Sequence, residues 1–368
     1  MLQLPNAIIY TAGNPQDAAA WTTLVDTYFH GDPMHLPAYA LLYAQAGEEG
    51  YTAVCQTDTG IVLYPFICRA IASDCVTTPH YDIISPYGYG GPCMSGTMPD
   101  DTLCAFWHTL DTWMADRHIV SEFVRFPLRN SQEIGYPGEE TLGNTNFIRS
   151  LQEGYEVIRH NMASSIRKGA RRGMEHGLSV IFDDIGAHTE VFNDIYEETM
   201  ARNAAQERYY FGLPFFRSLE AALPGRFLYA LVQHTPDIGP ARIVGGTLYL
   251  KSRTTMYAFL GGTRNAYLSM YANVLQKCEA IRWGSEQGLT EMVLGGGYHP
   301  NDGIHQFKKK IAPDGAVDFR MGKRVLMPDI YAQLVEERRR QEPEGWEAQA
   351  ERFFPLYRAP SMADGLDE

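Results

Sequence analysis

The chain has 368 residues, 45% apolar and 20% charged, enough for two or three ordinary globular domains with sizeable cores. Its net charge of −13 excludes a molecule drawn as a whole to tRNA or to an anionic membrane, so contact with a polyanion needs a local basic patch. No run of about 18 or more apolar residues is present, the first residues lack a basic and then apolar leader, and the six cysteines form no C-x-x-C pair; the expectation is a cytoplasmic protein with no membrane span and reduced thiols that serve mostly in packing.

In chain order, "PQDAAAWTTLVDTYFH" places Trp21, Leu24, Val25 and Phe29 at helical spacing. "MHLPAYALLYAQA" reads as a second helix. "YTAVCQTDTGIVLYPFICRAI" is two strands about a "TDTG" turn. "PHYDIISPYGYGGPC" is a strand running into a Gly/Pro/Tyr loop, "DDTLCAFWHTLDTWMADRH" a helix with an N-capping aspartate, and "VSEFVRFPL" a strand. The second half repeats this order: helix "GLPFFRSLEAALP", hairpin "GRFLYALVQHTPDIGPARIVGGTLYLK", strand "TTMYAFLGGT", helix "SMYANVLQKCEAIRWGSEQG" with Tyr271, Val274, Leu275, Cys278 and Ile281 on one face, and strand "LTEMVLGGG". A unit of helix, hairpin, strand, helix and strand thus occurs twice, as two α/β domains of similar architecture would give.

Several stretches could carry chemistry. "HNMASSIRKGARRGMEHG" pairs Arg167 with Arg171 and Lys168 with Arg172 at four-residue spacing; such a helix either neutralises phosphates or is a solvated cationic face, and Ser164 or Ser165 would cap it. "YDIISPYGYGGP" suits either close approach of a ligand to backbone or a structural turn, with Asp82 a site group or a strand-end acid. Of Tyr209 and Tyr210 at most one would look into a cleft if they lie on a strand. "MYAFLGGT" and "MVLGGG" end in glycines whose N–H groups could bind an oxyanion. "GGGYHPNDGIHQFKKKIAP", by composition, is a charged surface loop. There is no G-x-x-x-x-G-K-[ST] for phosphate hydrolysis, no G-x-S-x-G elbow, and no His/Cys spacing for zinc; His299 and His305 lack a third ligand, so no metal is expected.

The series "DIISPYGYGGP", "SSIRKGARRG", "YEETMARNAAQERYYF", "FLGGTRNAY", "NVLQKCEAIRWGSEQGL" and "LGGGYHPNDGIHQFKKKIAP" resembles the FemAB-like branch of the GNAT superfamily, which includes FemX-type aminoacyltransferases and the BioF-like acetyltransferase domains. The resemblance runs over about residues 35–320. It implies an α/β (α+β) fold of two GNAT-like domains with mixed, mainly antiparallel sheets. The first would be residues 1–155 plus 320–368 and the second, catalytic one 156–319. It implies an N-acyltransferase that moves an acyl or aminoacyl group from an activated carrier, aminoacyl-tRNA or acyl-CoA, to an amine of a small molecule or peptidoglycan precursor held between the domains. No tightly bound cofactor is implied.

In that family a Phe-Lys dipeptide, here Phe307-Lys308, ends the second domain, and its lysine is implicated in stabilising the oxyanion of acyl transfer. Phe307 would shape the site, and Lys309 and Lys310 would be its solvated neighbours. Asp82, Tyr87, Tyr89, Gly90, Tyr210, Gly261, Gly262 and Asn273 would contact substrate; Arg167, Lys168 and Arg171 would meet phosphates. Asp82 and Asp302 are the candidate bases. Ser164 and Gly169 depart from the family's basic-helix pattern, and neither a coiled-coil arm nor the R/Q-x-x-G-x-G/A pyrophosphate loop of simple GNAT enzymes is seen. The alternatives are an acetyl-CoA-dependent small-molecule N-acetyltransferase and a non-catalytic tRNA- or nucleotide-sugar-binding relative.

Overall fold

The computed structural model of the protein describes residues 7–76, 78–129, 131, 134–297, 299, 301–342, 345–347 and 353–360. Its elements begin with β1 (Ile8–Thr11), α1 (Pro15–Tyr28), α2 (Pro37–Tyr43), β2 (Glu49–Gln56), β3 (Gly60–Ala70), β4 (Tyr81–Ile84), β5 (Cys93–Gly96), α3 (Asp100–Asp116), β6 (Ile119–Arg125) and β7 (Glu139–Leu142). They continue with β8 (Asn146–Ser150), α4 (Tyr155–Asn161), α5 (Ser164–Glu175), β9 (Leu178–Asp183), α6 (Thr189–Arg202), α7 (Gly212–Ala222), β10 (Phe227–His234), β11 (Arg242–Lys251), β12 (Thr255–Thr263) and α8 (Ala272–Glu286). The last are β13 (Glu291–Gly296), α9 (Gly303–Ile311), β14 (Ala316–Val317), β15 (Arg320–Val325) and α10 (Pro328–Gln341).

The chain divides into two units, Met1–Gly143 with Phe319–Glu368, and Asn144–Asp318. The first boundary falls earlier than the 155/156 expected from sequence. The reason is β8, which pairs with β13 and β14 and so belongs to the second sheet. The second boundary falls at 318/319 against an expected 319/320.

Both sheets follow one plan, β1-β2-β3-β4-β6-β15-β7 in the first unit and β9-β10-β11-β12-β13-β8-β14 in the second; β5 also pairs with β3. In each, four antiparallel strands, β1–β4 and β9–β12, lead through a helix to a strand that runs parallel to the fourth: β4 beside β6 through α3, and β12 beside β13 through α8. The next strand is antiparallel in both, β15 on β6 and β8 on β13. The repeat in the sequence is this shared plan. The first sheet is completed by β15, supplied by chain that returns after the second unit.

Local chemistry explains the helices. Asn14 caps α1 by accepting from the N–H groups of Gln16 and Asp17, Pro15 sits at its first position, and Trp21 and Val25 bury one face. In α3 the expected N-capping aspartate is not at the cap. Pro99 occupies that position, and Asp100 and Asp101 lie in the first turn, where the helix dipole favours them. Leu103, Phe106, Trp107, Leu110 and Met114 form its buried stripe, each such side chain contributing roughly 1.5–3 kcal/mol by burial. The core of the second unit lies between its sheet and the side that carries α4, α5, α8 and α9, with Phe147, Ile166, Cys278, Ile281, Met292 and Ile311 all buried.

Three sequence expectations change. "GGGYHPNDGIHQFKKKIAP" contains the helix α9 and is not simply a loop. Tyr209 ends a 3-10 turn, Glu207–Tyr209, and Tyr210 follows it, so neither is on a strand. Neither Ser164 nor Ser165 caps α5; Ala163 holds the cap position with no side-chain hydrogen bond.

Candidate active site

The helix α9 forms because Asp302 caps it, accepting from the His305 N–H at 2.6 Å, and because Ile304, Phe307, Lys308 and Ile311 fall at i, i+3, i+4 and i+7. Ile311 is fully buried and Phe307 is half-buried against the same core, which fixes the helix rotation. That rotation splits the lysine run. Lys309 and Lys310 are exposed, while Lys308 turns inward and donates from Nζ to the Gly296 carbonyl, 2.5 Å away at the end of β13. Burial lowers the Lys308 ammonium to about 8, and the Asp302 carboxylate partly offsets this.

Gly296 lies where the parallel pair comes apart. β12 and β13 pair only from Thr255/Glu291 to Tyr257/Val293. β12 then continues to Thr263 on its other neighbour, β11, with a bulge between Leu248/Leu260 and Tyr249/Ala258. Past Tyr257 the strands diverge. The Gly296 carbonyl, with Lys308 on it, stands on one side of the divergence and Ala258–Thr263 on the other.

A second lysine faces this region, and the sequence reading missed it. Lys277 of α8 is 9% exposed and donates to the Thr247 hydroxyl at 3.0 Å and the Tyr249 hydroxyl at 3.2 Å, both on β11. Gln276 orders these partners, accepting from Thr247 at 3.2 Å and donating to Tyr249 at 3.0 Å. Burial, then the nearby Lys308 ammonium, lowers Lys277 to about 7. Among the described residues neither lysine is in ion-pair contact with a carboxylate. The signal was in the sequence: Lys277 falls within the apolar stripe of α8, three residues after Val274 and four before Ile281.

The other candidates divide. Gly261 and Gly262 point to opposite faces of β12. A Cβ on Gly261 would meet the Thr247 hydroxyl at 2.9 Å, and one on Gly262 would meet Thr199 Oγ1 at 2.5 Å and the Ile195 carbonyl at 2.8 Å on α6. Gly261 therefore lies on the α8 side with the two lysines, while Gly262 is a close-packing position against α6. Asn273 is exposed in the first turn of α8, one turn before Lys277. Tyr210 is 41% exposed, next to Tyr209, whose carbonyl accepts from Tyr196 of α6, on the opposite face from Lys308.

In α5, Arg167 donates to the His160 carbonyl at 2.6 Å and to the Met162 carbonyl, which satisfies the end of α4. Arg171 pairs with Glu175 at 3.2 Å on the surface, and Arg172 donates to Tyr271. Lys168 is exposed. Gly169 and Gly173 let α5 lie close to α8, since a Cβ at these positions would reach Tyr271, Val274 or Leu275 at 3.1–3.2 Å. The departure at Gly169 thus has a packing cause.

The first-unit candidates sit in a tightly bonded setting. Asp82 is fully buried, and accepts from Arg69 at 2.7 Å, from Tyr357 at 3.0 Å and from Arg358. These partners occupy the carboxylate, and it ties β4 to the chain's returning segment. Tyr87 is 40% exposed and stacks on Tyr43; Tyr89 packs edge-on against Phe319. Gly90 is buried, and a Cβ there would meet Pro86 and the Met34 carbonyl within 3.1 Å. Asp302, the other candidate base, is the α9 cap and also accepts from the His299 N–H.

No group of three or more His, Cys, Asp or Glu side chains poised for a metal occurs among the described residues, and no described helix is long and apolar enough to cross a membrane. The family model described as an acetyltransferase (GNAT) domain matches residues 158–309. No curated protein sequence matches the chain. Among solved structures, FemX is similar with a TM-score of 0.67 at 13% identity, covering 86% of this chain and 97% of FemX. The L-PGS of Bacillus licheniformis is similar with a TM-score of 0.53 at 11% identity, covering 88% of this chain and 96% of that one. A conserved protein of unknown function from Bacteroides thetaiotaomicron gives 0.54 at 10% identity, covering 86% and 99%. Residues 158–309 therefore form a GNAT acyltransferase domain, set in a double fold shared with FemX, and the chain is an acyltransferase.

Proposed function

We propose that the protein transfers an acyl or aminoacyl group from an activated carrier, aminoacyl-tRNA or acyl-CoA, to the amine of a small molecule or cell-wall precursor in the cytoplasm. One observation carries this reading: Lys308 holds its ammonium at the Gly296 carbonyl, where β12 and β13 diverge. Attack of an amine on an ester or thioester carbon forms a C–N bond and places negative charge on the carbonyl oxygen. Collapse of that intermediate breaks the C–O or C–S bond to the carrier, which leaves with a proton. An ammonium fixed in a half-buried setting lowers the barrier because no water must reorganise as charge develops. Phe307 shapes the wall beside it, and Gly261 and Asn273 line the donor side. Lys168 is the phosphate contact that α5 retains, since Arg167 and Arg171 are engaged within the protein.

That engagement favours a second reading, an acetyl-CoA-dependent N-acetyltransferase acting on a small-molecule amine. A polyanion as long as tRNA needs several unpaired cations, and in α5 Arg167, Arg171 and Arg172 are all engaged within the protein. A donor screen tests both. The purified protein is incubated with a mixed amine pool and either charged tRNA or acetyl-CoA, and acylated amine is read by mass spectrometry. Product with charged tRNA alone supports aminoacyl transfer, and product with acetyl-CoA alone supports the second reading. No product with either overturns both.

A further inference from the structure

Lys277 is a buried cation position without a buried anion, and the proposed function as it stands leaves the proton of the attacking amine without a taker. We infer that Lys277 is a second catalytic lysine of this site, accepting the proton shed by the attacking amine while Lys308 holds the negative charge on the carbonyl oxygen. The inference rests on the acyl-transfer reading and supplies its missing base.

The geometry is that of two amines on the α8 and α9 side of one sheet, Lys308 at the β13 edge of the divergence and Lys277 across β12 from it, over β11. Lys308 reaches it from the β13 side. Lys277 lies over Thr247 and Tyr249 of β11, whose neighbours across the strand pair are Gly261 and Ala258 of β12. Both neighbours are small, so the β12 residues paired directly with Thr247 and Tyr249 put no bulk beside the Lys277 amine. Asp82 and Asp302, the carboxylates considered for the base, are committed elsewhere.

The groups facing Lys277 are the Thr247 and Tyr249 hydroxyls, Gln276 of its own helix and the Lys308 ammonium of α9. From α5, Gly169 and Gly173 face α8 while Arg172 turns to Tyr271. From β9, β10 and β13 the core presents apolar side chains such as Val180, Ala230 and Met292. From α4, Ile158 joins the same core. None of these offers a carboxylate to hold the proton on Lys277. Two neighbouring ammoniums, both partly stripped of water, disfavour the doubly charged state, and different environments divide the acid and base roles. The pair orders itself as Lys277 about 7 and Lys308 about 8. Between these values Lys277 is mostly the neutral amine and Lys308 mostly the cation.

The proton balance closes. The neutral Lys277 amine takes the proton from the ammonium of the tetrahedral intermediate. Lys277 then gives it to the departing alkoxide or thiolate of the carrier and returns to its starting state.

The test compares wild type with Lys277→Arg and Lys277→Met. Wild type should give a bell-shaped kcat/KM, rising as pH passes about 7 and falling as it passes about 8. Both variants should lose about 100-fold or more in kcat with KM little changed. Their acid limb should move upward to that of the acceptor amine. Wild-type turnover in Lys277→Arg would show that only a cation is needed and would overturn the inference. An unmoved acid limb in both variants would do the same. A readout without turnover separates this from failure of the acyl-transfer reading. In protein labelled with ε-13C lysine, one NMR resonance should titrate near 7 and vanish in Lys277→Met. Its absence counts against Lys277 whatever the donor screen returns.

Discussion

The two sheets share a plan but finish their parallel pairs differently. In the first unit the chain leaving β4 stays on β6: the Ser85 N–H donates to the Phe123 carbonyl at 3.0 Å, the Arg125 N–H to the Ser85 hydroxyl at 2.9 Å, and the Gly91 N–H to the Arg125 carbonyl at 2.8 Å. The glycine loop closes that pair. In the second unit β12 and β13 pair over three residues and then part. The buried charges differ in the same sense. Asp82 lies among Arg69, Arg358 and Tyr357, and Glu122 accepts from Tyr64 and Tyr136 with Arg324 at 3.5 Å. Lys277 and Lys308 have hydroxyls and a carbonyl for partners. One copy of the plan uses its buried charges for cohesion. The other holds two partly buried lysines with no carboxylate in ion-pair contact among the described residues, the arrangement that the proposed acyl transfer calls on.

The largest expected effect on stability is in the closed copy. Asp82→Ala leaves two guanidiniums without their carboxylate, a loss of about 3–5 kcal/mol for a buried pair. It should fall toward the lower figure because Arg69 and Arg358 keep 18% and 26% of their side-chain surface. Urea unfolding measures it, and a midpoint equal to wild type would remove the contrast in charge. Gly91→Ala comes next. Its Cβ would meet the Arg125 carbonyl at 2.4 Å, a backbone atom that cannot turn away, so the closure must loosen. A destabilisation of about 1–3 kcal/mol is expected.

The open copy should show its strain as a pH dependence. Both lysines have folded values, about 7 and about 8, below the ordinary value for lysine. Between those values and the ordinary one the unfolded chain holds protons that the folded chain has released, so stability rises with pH across that window. Unfolding followed from pH 7 to about 8.5, below the range where the buried thiols act in the opposite sense, should show a steeper rise in wild type than in Lys277→Met; equal slopes would count against the buried pair. The smallest effect is Arg171→Ala, which removes a surface pair with both partners more than half exposed. It should change stability by no more than about 1 kcal/mol, and a larger loss in thermal unfolding would show that α5 depends on that pair.

The shared plan was legible in the residues; the contrast was not. The repeat of helix, hairpin, strand, helix and strand is the shared plan, because apolar period and turn signals are local. Lys308 stood out through its place after "MVLGGG" in a chain with the other FemAB-like stretches. The helix around it was obscured by glycine, proline and asparagine, whose signals precede the Asp302 cap. Asp82 and Gly90 looked like site groups because residue type does not report partners: Arg358 lies far along the chain and the loop packs on β6. Lys277 was written in the apolar stripe of α8, but only the fold places it beside Lys308.

The central claim is that Lys308 acts at the divergence of β12 and β13. Its most direct test is the single-turnover transfer rate of Lys308→Met, measured with whichever donor the screen identifies and at saturating donor. The account predicts a fall of about 100-fold or more with unfolding midpoint and donor affinity close to wild type. Transfer at the wild-type rate would contradict it.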